Sequence, residues 1–386
     1  MKTVAVICEY NPFHNGHARQ LRQMAAVGTT VCVMSGNYVQ RGEPAICDKW
    51  TRARAAALCG ADLVLELPVT YALRSAEGFA DGGVEVLERL GCVDALCFGS
   101  ETGSAERVLS TARLLLSDAF SAALRQELAT GVSFPRAREL AVRRLSGEET
   151  PPLSAPNDIL AVEYCKALLR RGSAIEPMLI RRDGDYHVGT DPNAPSASFL
   201  RTQERWDGCV PEAALACFAG APRFTAAAGE RAWLARLRGM PDAAFETLPF
   251  GSEGLWRRLL RACRTEETLE GIVEAAKTKR YPRTRLMRML LCAYLGIDEA
   301  LLRAQAPYIR VLAANERGQA VLRRARKNGA PLLHAGERAP ACPYAGLERR
   351  ADDLFGLFST KGEYYVNQER QHRLFRPADT PPCGEK

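Results

Sequence analysis

Apolar and polar positions along the first hundred residues follow two rhythms that take turns. Val4-Ala5-Val6-Ile7-Cys8 is a continuous apolar run whose length suits a central parallel strand buried on both faces. A helical rhythm follows from near Gly16 and turns Leu21 and Met24 inward; Thr30 to Met34 then reads as a second strand entering the loop Ser35-Gly36-Asn37. Lys49 to Cys59 reads as a helix, and Asp62 to Leu67 as a third strand that stops at Pro68. Ala76 to Leu90 is helical again and Val93 to Phe98 forms a fourth strand. Strands alternating with helices predict an α/β fold, a Rossmann-like doubly wound parallel sheet that binds ligands at the carboxyl ends of its strands.

After that the pattern lengthens. Glu106 to Leu145 is helical, Pro151, Pro152 and Pro156 interrupt it, and Asn157 opens a helix through Leu169. Ile175 to Ile180 has the look of a late strand returning to the sheet, and Ser196 to Trp206 of a short helix or turn. Beyond Val210 the chain reads as mostly helical, including the basic stretch Lys277 to Arg288, with one strand at Tyr308 to Ala313. The expected organisation is a nucleotide-binding domain over residues 1–209 and a mostly helical region over 210–386, with a loose tail from Thr380.

Composition narrows the class. Hydrophobic residues make up 47% and charged residues 25% of 386, the balance of a globular protein. The apolar stretch Leu286 to Ile297 is broken by Arg288, and the N-terminus lacks a signal-peptide pattern, so a cytoplasmic protein without membrane association is expected. The 13 cysteines are odd in number, form no CxxC pair and mostly sit in apolar runs, which fits buried thiols in a reducing compartment. A zinc site would need clustered Cys and His, and the five histidines are mostly scattered, so no structural metal is expected. The net charge of +7 is concentrated: Gly251 to Lys327 holds 17 Lys and Arg against 8 Asp and Glu, so the rest of the chain is about −2. Such a segment suits a polyanion such as RNA, with Lys277, Lys279, Arg280, Arg283 and Arg285 as candidate contacts; a solvated basic helix face is the alternative.

The sharpest chemical signal is Glu9-Tyr10-Asn11-Pro12-Phe13-His14-Asn15-Gly16-His17, which leaves the first strand and opens the first helix. Pro12 imposes an extended turn, and Gly16 admits close approach of a phosphate to the backbone. His14 and His17 are spaced to face the same way at a helix N-terminus, where unpaired N–H groups and the positive dipole end favour anions. Two imidazoles there can donate to phosphate oxygens as charge builds in a transition state. An exposed turn or a two-histidine metal pair are the alternatives.

This run resembles the HxGH signature of the nucleotidyltransferase and class I aminoacyl-tRNA synthetase superfamily, which implies a sheet of the nucleotidyltransferase (HUP) type and attack on the α-phosphate of ATP. Members often carry a later Ser/Thr-rich turn ending in Arg, and Ser196-Ala197-Ser198-Phe199-Leu200-Arg201 resembles it; its hydroxyls and guanidinium would clasp phosphates, or simply cap a helix. Further blocks are similar to the bacterial tRNA(Met) cytidine acetate ligase family: Met34-Ser35-Gly36-Asn37-Tyr38-Val39-Gln40-Arg41-Gly42-Glu43-Pro44-Ala45, Lys49-Trp50, Asp62 to Pro68, Phe98-Gly99-Ser100-Glu101, Asn157-Asp158-Ile159-Leu160, Ile180-Arg181-Arg182 and Tyr308-Ile309-Arg310-Val311-Leu312. The chain beyond Leu354 is less distinctive.

That resemblance implies an enzyme that activates acetate with ATP as acetyl-adenylate and acetylates N4 of the wobble cytidine of elongator tRNA(Met), with no protein partner. It implies His14, His17 and Arg201 as catalytic residues. The implied ATP site comprises Ile7, Cys8, Glu9, Tyr10, Asn11, Pro12, Phe13, His14, Asn15, Gly16, His17, Ala18, Arg19, Gln20, Gly99, Asn157, Arg181, Arg182 and Ser198. Mg2+ is expected with ATP, although no carboxylate cluster names its ligands. On the residues alone, Asn157 reads equally well as a helix N-cap. Ser35 to Lys49 reads as a mobile loop able to cover ATP or touch tRNA, with Arg41 and Lys49 suited to either role; Lys49 and Arg52 read alternatively as an ordinary solvated helix face. A small-molecule adenylyltransferase and a non-enzymatic RNA-binding protein with a relict nucleotide domain are the rival readings.

Overall fold

The computed structural model describes residues 2–147, 152–181, 196–362 and 366–377. Nine strands lie among these residues: β1 Lys2–Cys8, β2 Gly28–Ser35, β3 Tyr38–Val39, β4 Glu43–Pro44, β5 Leu63–Leu67, β6 Ala95–Ser100, β7 Glu176–Arg181, β8 Ile309–Ala314 and β9 Leu332–His334. Seven of them form one sheet in the order β7-β6-β1-β2-β5-β8-β9, and β3 and β4 make a small separate hairpin. From β1 the chain builds outward through β2 to β5, then crosses back to lay β6 and β7 on the other side of β1. The order therefore reverses between β1 and β6, the place where an α/β sheet opens a crevice for a ligand.

The sheet is sandwiched as the continuous apolar runs require. Ala5 and Ile7 of β1, with Val31, Val33, Leu63 and Leu65, pack on one face against the helices Ala76–Leu90 and Pro156–Arg171. Val4, Val6, Cys32, Met34 and Val64 pack on the other against α1 (Asn15–Ala25) and α2 (Lys49–Leu58). Consecutive residues of a strand point to opposite faces, so both sets must be apolar.

Two expectations need correction. The strand foreseen near Tyr308 does not stay with the helical region: β8 pairs antiparallel with β5 and parallel with β9, so the sheet is mixed and its last two strands come from beyond residue 210. β9 has three residues, too few to leave a periodic trace. Second, the basic stretch is not one helix. Residues 277–282 form a turn in which Thr278 Oγ1 accepts the Tyr281 N–H (3.1 Å), and the helix begins only at Arg283 because Pro282 before it cannot continue a helix from Lys277. The remaining C-terminal helices bury their own core around Trp233, Leu259, Leu290 and Phe358, into which Tyr38 of the β3–β4 hairpin is inserted. No helix among the described residues is long and apolar enough to cross a membrane.

Candidate active site

A cavity of about 470 Å³ opens where β1 and β6 end, within the size range of small-molecule sites. His14 and His17 line it, and their spacing has a geometric cause. His14 is the N-cap of α1, and its Nδ1 accepts the Gly16 N–H at 3.1 Å; His17, three residues on, accepts the His14 N–H through its own Nδ1 at 3.3 Å. This is a capping box built from two imidazoles in place of the usual hydroxyl and carboxylate. The rings stack with centroids 3.7 Å apart, and Tyr10 packs on His17 at 4.8 Å. An imidazole whose Nδ1 accepts carries its proton on Nε2, so capping fixes both rings as Nε2–H donors.

Gly16 answers to the same arrangement. A Cβ there would lie 2.9 Å from His14 Cε1 and 3.1 Å from its Nδ1, so the glycine admits the His14 ring first, and phosphate approach only through it. We expect Gly16→Ala to displace that ring and lower ATP affinity at least tenfold with little loss of stability, read by calorimetric titration beside a thermal melt. Affinity equal to wild type would show that the ring tolerates the methyl group.

Fifteen of the residues anticipated for this site line the cavity: Ile7, Cys8, Glu9, Tyr10, Asn11, His14, Gly16, His17, Arg19, Gln20, Gly99, Asn157, Arg181, Ser198 and Arg201. Pro12, Phe13, Asn15 and Ala18 do not; Phe13 is fully buried beside Tyr10, 4.9 Å between centroids, and holds the turn from behind. Arg182 lies outside the described residues. Arg201, on the helix Ala197–Thr202, donates to the Asn11 carbonyl at 2.8 Å and to Ser198 Oγ at 3.1 Å, which ties the serine turn to the loop before α1. Asn157 is not an N-cap, since Ala155 occupies that place; its amide donates to Glu101 in the loop that leaves β6. Of the apolar lining, Phe98 and Leu160 lie in blocks that the resemblance singled out, whereas Phe79 and Tyr164 carried no sequence signal because they come from separate core helices. Gln40 and Arg41, at the tip between β3 and β4, complete the rim.

The segment from Ser35 to Lys49 is firmly held. Asn37 donates to Asp352 at 2.9 Å, Tyr38 Oη to the Ala351 carbonyl at 3.0 Å, and the Gln40 N–H to Glu9 Oε1 at 2.8 Å. Lys49 and Arg52 form no solvated face; both are fully buried. Arg52 donates to the carbonyls of Cys47 (2.9 Å), Glu9 (2.6 Å) and Ser35 (3.0 Å) and to that of Gly36, satisfying the loop ends around β1 and β2. Lys49 meets Glu66 at 2.9 Å and Asp352 at 2.7 Å. Burial pushes the Glu9 carboxyl up, against the Gln40 hydrogen bond and the guanidiniums of Arg201, Arg52 and Arg41. Burial likewise pushes the Cys8 thiol well up, which keeps it an inert neutral group. Among the described residues no group of three or more His, Cys, Asp or Glu could hold a metal ion.

Comparison with known proteins places this arrangement. The family model described as HIGH Nucleotidyl Transferase matches residues 1–371. The tRNA(Met) cytidine acetate ligase of Clostridium tetani is 36% identical, covering 85% of this chain and 88% of that protein, and that of Acetivibrio thermocellus is 35% identical over 86% and 88%. Thermotoga maritima TmcAL bound with alpha-thio ATP matches with a TM-score of 0.87 at 28% identity, covering 97% of this chain and 99% of that one. Its apo form matches at 0.88 and 30%, covering 97% and 100%. A strand-end cavity headed by a two-histidine cap, on a fold and sequence shared over nearly the whole chain, leaves one assignment: this chain belongs to the HIGH nucleotidyltransferases and, within them, to the tRNA(Met) cytidine acetate ligase family.

Proposed function

We propose that this chain is an ATP-dependent ligase that joins acetate to N4 of the wobble cytidine of elongator tRNA(Met). One observation carries the reading: the reciprocal cap fixes His14 and His17 as N–H donors in one cavity with Arg201, an arrangement made for an anion that gains charge as it reacts. An acetate oxygen attacks the α-phosphate of ATP and pyrophosphate leaves, giving acetyl-adenylate. Cytidine N4 is a weak nucleophile because its lone pair is delocalised into the ring, so the mixed anhydride supplies the needed activation and the bound tRNA the effective concentration. N4 then attacks the acetyl carbon and AMP departs. Mg2+ arriving with ATP would be held by phosphate oxygens and water, as that ion commonly is.

Lys277, Lys279, Arg280, Arg283 and Arg285 are assigned to the tRNA backbone. Several already have partners: Lys277 pairs with Glu274 at 3.0 Å, Arg280 with Glu253 at 2.5 Å, Arg283 with Glu270 at 2.6 Å, and Arg285 donates to the Phe250 carbonyl. Exposed pairs of this kind are worth about 0–1 kcal/mol, so a phosphate can displace the carboxylate at small cost. The double reversal Lys279→Glu, Arg280→Glu is expected to weaken tRNA binding by at least tenfold and to lower the slope of log K against log salt by roughly one for each phosphate that is no longer neutralised. Filter binding across a salt series checks this, and an unchanged slope would move the RNA surface elsewhere.

The function itself is tested with purified protein, ATP, radiolabelled acetate and unmodified elongator tRNA(Met), without acetyl-CoA. Label on the wobble cytidine is expected. ATP binding without label would overturn the ligase reading in favour of an adenylyltransferase acting on a small phosphate ester.

A further inference from the structure

We infer that the Glu9 carboxylate receives the exocyclic amine of the target cytidine, recognising the base and taking the proton that N4 loses on acetylation; this rests on the ligase reading above. Among the described residues that line the cavity Glu9 is the only carboxylate, and its company is cationic or imidazole: Arg19, Arg41, Arg181, Arg201, His14 and His17. ATP and acetate are both anions. A carboxylate in their cavity repels each of them and carries its own desolvation cost, so its use lies with the third reactant. Cytosine presents an N4 amine, a pure donor matched by a carboxylate, whereas uracil presents an acceptor oxygen at the same place and is repelled.

Glu9 is fixed for such a task. Its carbonyl accepts from Arg52 at 2.6 Å and its Oε1 from the Gln40 N–H at 2.8 Å, which leaves Oε2, among the described residues, for an incoming donor. The hairpin that supplies the Gln40 N–H also leans on the basic region: at Gly42 (φ +80°) a Cβ would lie 2.4 Å from the Arg288 backbone nitrogen, in the helix Arg283–Leu295. Gln40 and Arg41 of the same hairpin line the cavity, so an RNA strand held along that helix would enter past them. In the transfer step the N4–carbon bond forms, the bond from the acetyl carbon to the adenylate oxygen breaks, AMP leaves, and the N4 proton passes to Glu9 and then to solvent.

Burial makes Glu9 a stronger base than an exposed carboxylate. Arg52 from α2, Arg41 from the hairpin and Arg201 from the helix Ala197–Thr202 limit that rise. His14, His17 and Arg19 from α1, Arg181 of β7, Tyr164 from the helix Pro156–Arg171, and Cys8 and Tyr10 beside it are the other ionisable groups among the described residues that line the cavity.

The test supplies synthetic acetyl-adenylate and tRNA to the full chain, so that transfer is read apart from activation. Glu9→Gln keeps the acceptor for Gln40 and is expected to slow transfer about a hundredfold or more. That loss should exceed any loss in acetate-dependent ATP–pyrophosphate exchange at least tenfold. Wild-type transfer should rise with pH through a midpoint above the ordinary glutamate value; Glu9→Gln should lack that limb and Glu9→Asp should keep it. Glu9→Gln transferring like wild type, or losing exchange and transfer by the same factor with an altered Mg2+ requirement, would overturn the assignment of Glu9 alone. Wild-type protein that cannot transfer from acetyl-adenylate would instead overturn the ligase reading beneath it.

Discussion

Replacing His17 with alanine is expected to lower the rate of acetyl-adenylate formation by about a hundred- to a thousandfold, the scale of losing one preorganised donor to a developing oxyanion. The substitution removes two things at once. The Nε2–H donor disappears, and the Nδ1 that accepts the His14 N–H at 3.3 Å disappears with it. The stacked partner ring, 3.7 Å away, then loses its support, so the donor on His14 is also misplaced. The structural cost is only that of a helix cap, roughly 1 kcal/mol. Acetate-dependent ATP–pyrophosphate exchange measures the step directly, with a denaturant titration to show that the variant is folded. Exchange within a few-fold of wild type would remove His17 from the phosphate chemistry.

Lys49→Met is expected to destabilise the protein by about 3–5 kcal/mol, the usual penalty for breaking a buried ion pair from one side. Lys49 is 1% exposed and bridges Glu66 of β5 and Asp352 of the helix Pro343–Phe355. Arg310 of β8 joins the same cluster, at 3.2 Å from Glu66 and 3.1 Å from Glu348. Methionine fills the space of the lysine stem but leaves the carboxylates around it undercompensated. Burial works against the ammonium, and Asp352 and Glu66 more than offset it, holding its pKa above the ordinary lysine value. A raised folded-state pKa gives stability that is complete below the unfolded value, about 10.4, and is lost only as pH climbs through the folded one. The full loss should therefore appear at neutral pH as a lower urea midpoint. An unchanged midpoint would mean that the cluster neutralises itself without Lys49.

Legibility followed the range of the interaction. β1, β2, β5 and β6 were readable because a strand buried on both faces is a continuous apolar run, and the motif from Glu9 to His17 was readable because its cap closes within four residues. The role of Gly16 against His14 was not, since nothing in a glycine's place along the chain distinguishes room for a ligand from room for a neighbouring ring. Lys49 and Arg52 look like any exposed helical cations until Asp352, more than three hundred residues away, and the loop carbonyls are placed around them. The antiparallel entry of β8 beside β5 has no local signature at all, because pairing direction is set by where the intervening helices deliver the chain.

That entry of β8 shapes how the protein must be made. On a translating ribosome the first five strands of the sheet, β1, β2, β5, β6 and β7, emerge long before β8. At about 5–20 residues per second the nascent chain waits on the order of 10 to 50 s between completing β5 and releasing its partner. Throughout that interval β5 presents an unpaired edge, and Glu66 and Lys49 lack both Arg310 and Asp352. The catalytic half is thus an unfinished edge-strand intermediate, of the kind that chaperones shield, until the last quarter of the chain is synthesised. A shortened gene that ends after the active-site motifs would encode every residue of the cavity and still deliver an aggregation-prone sheet.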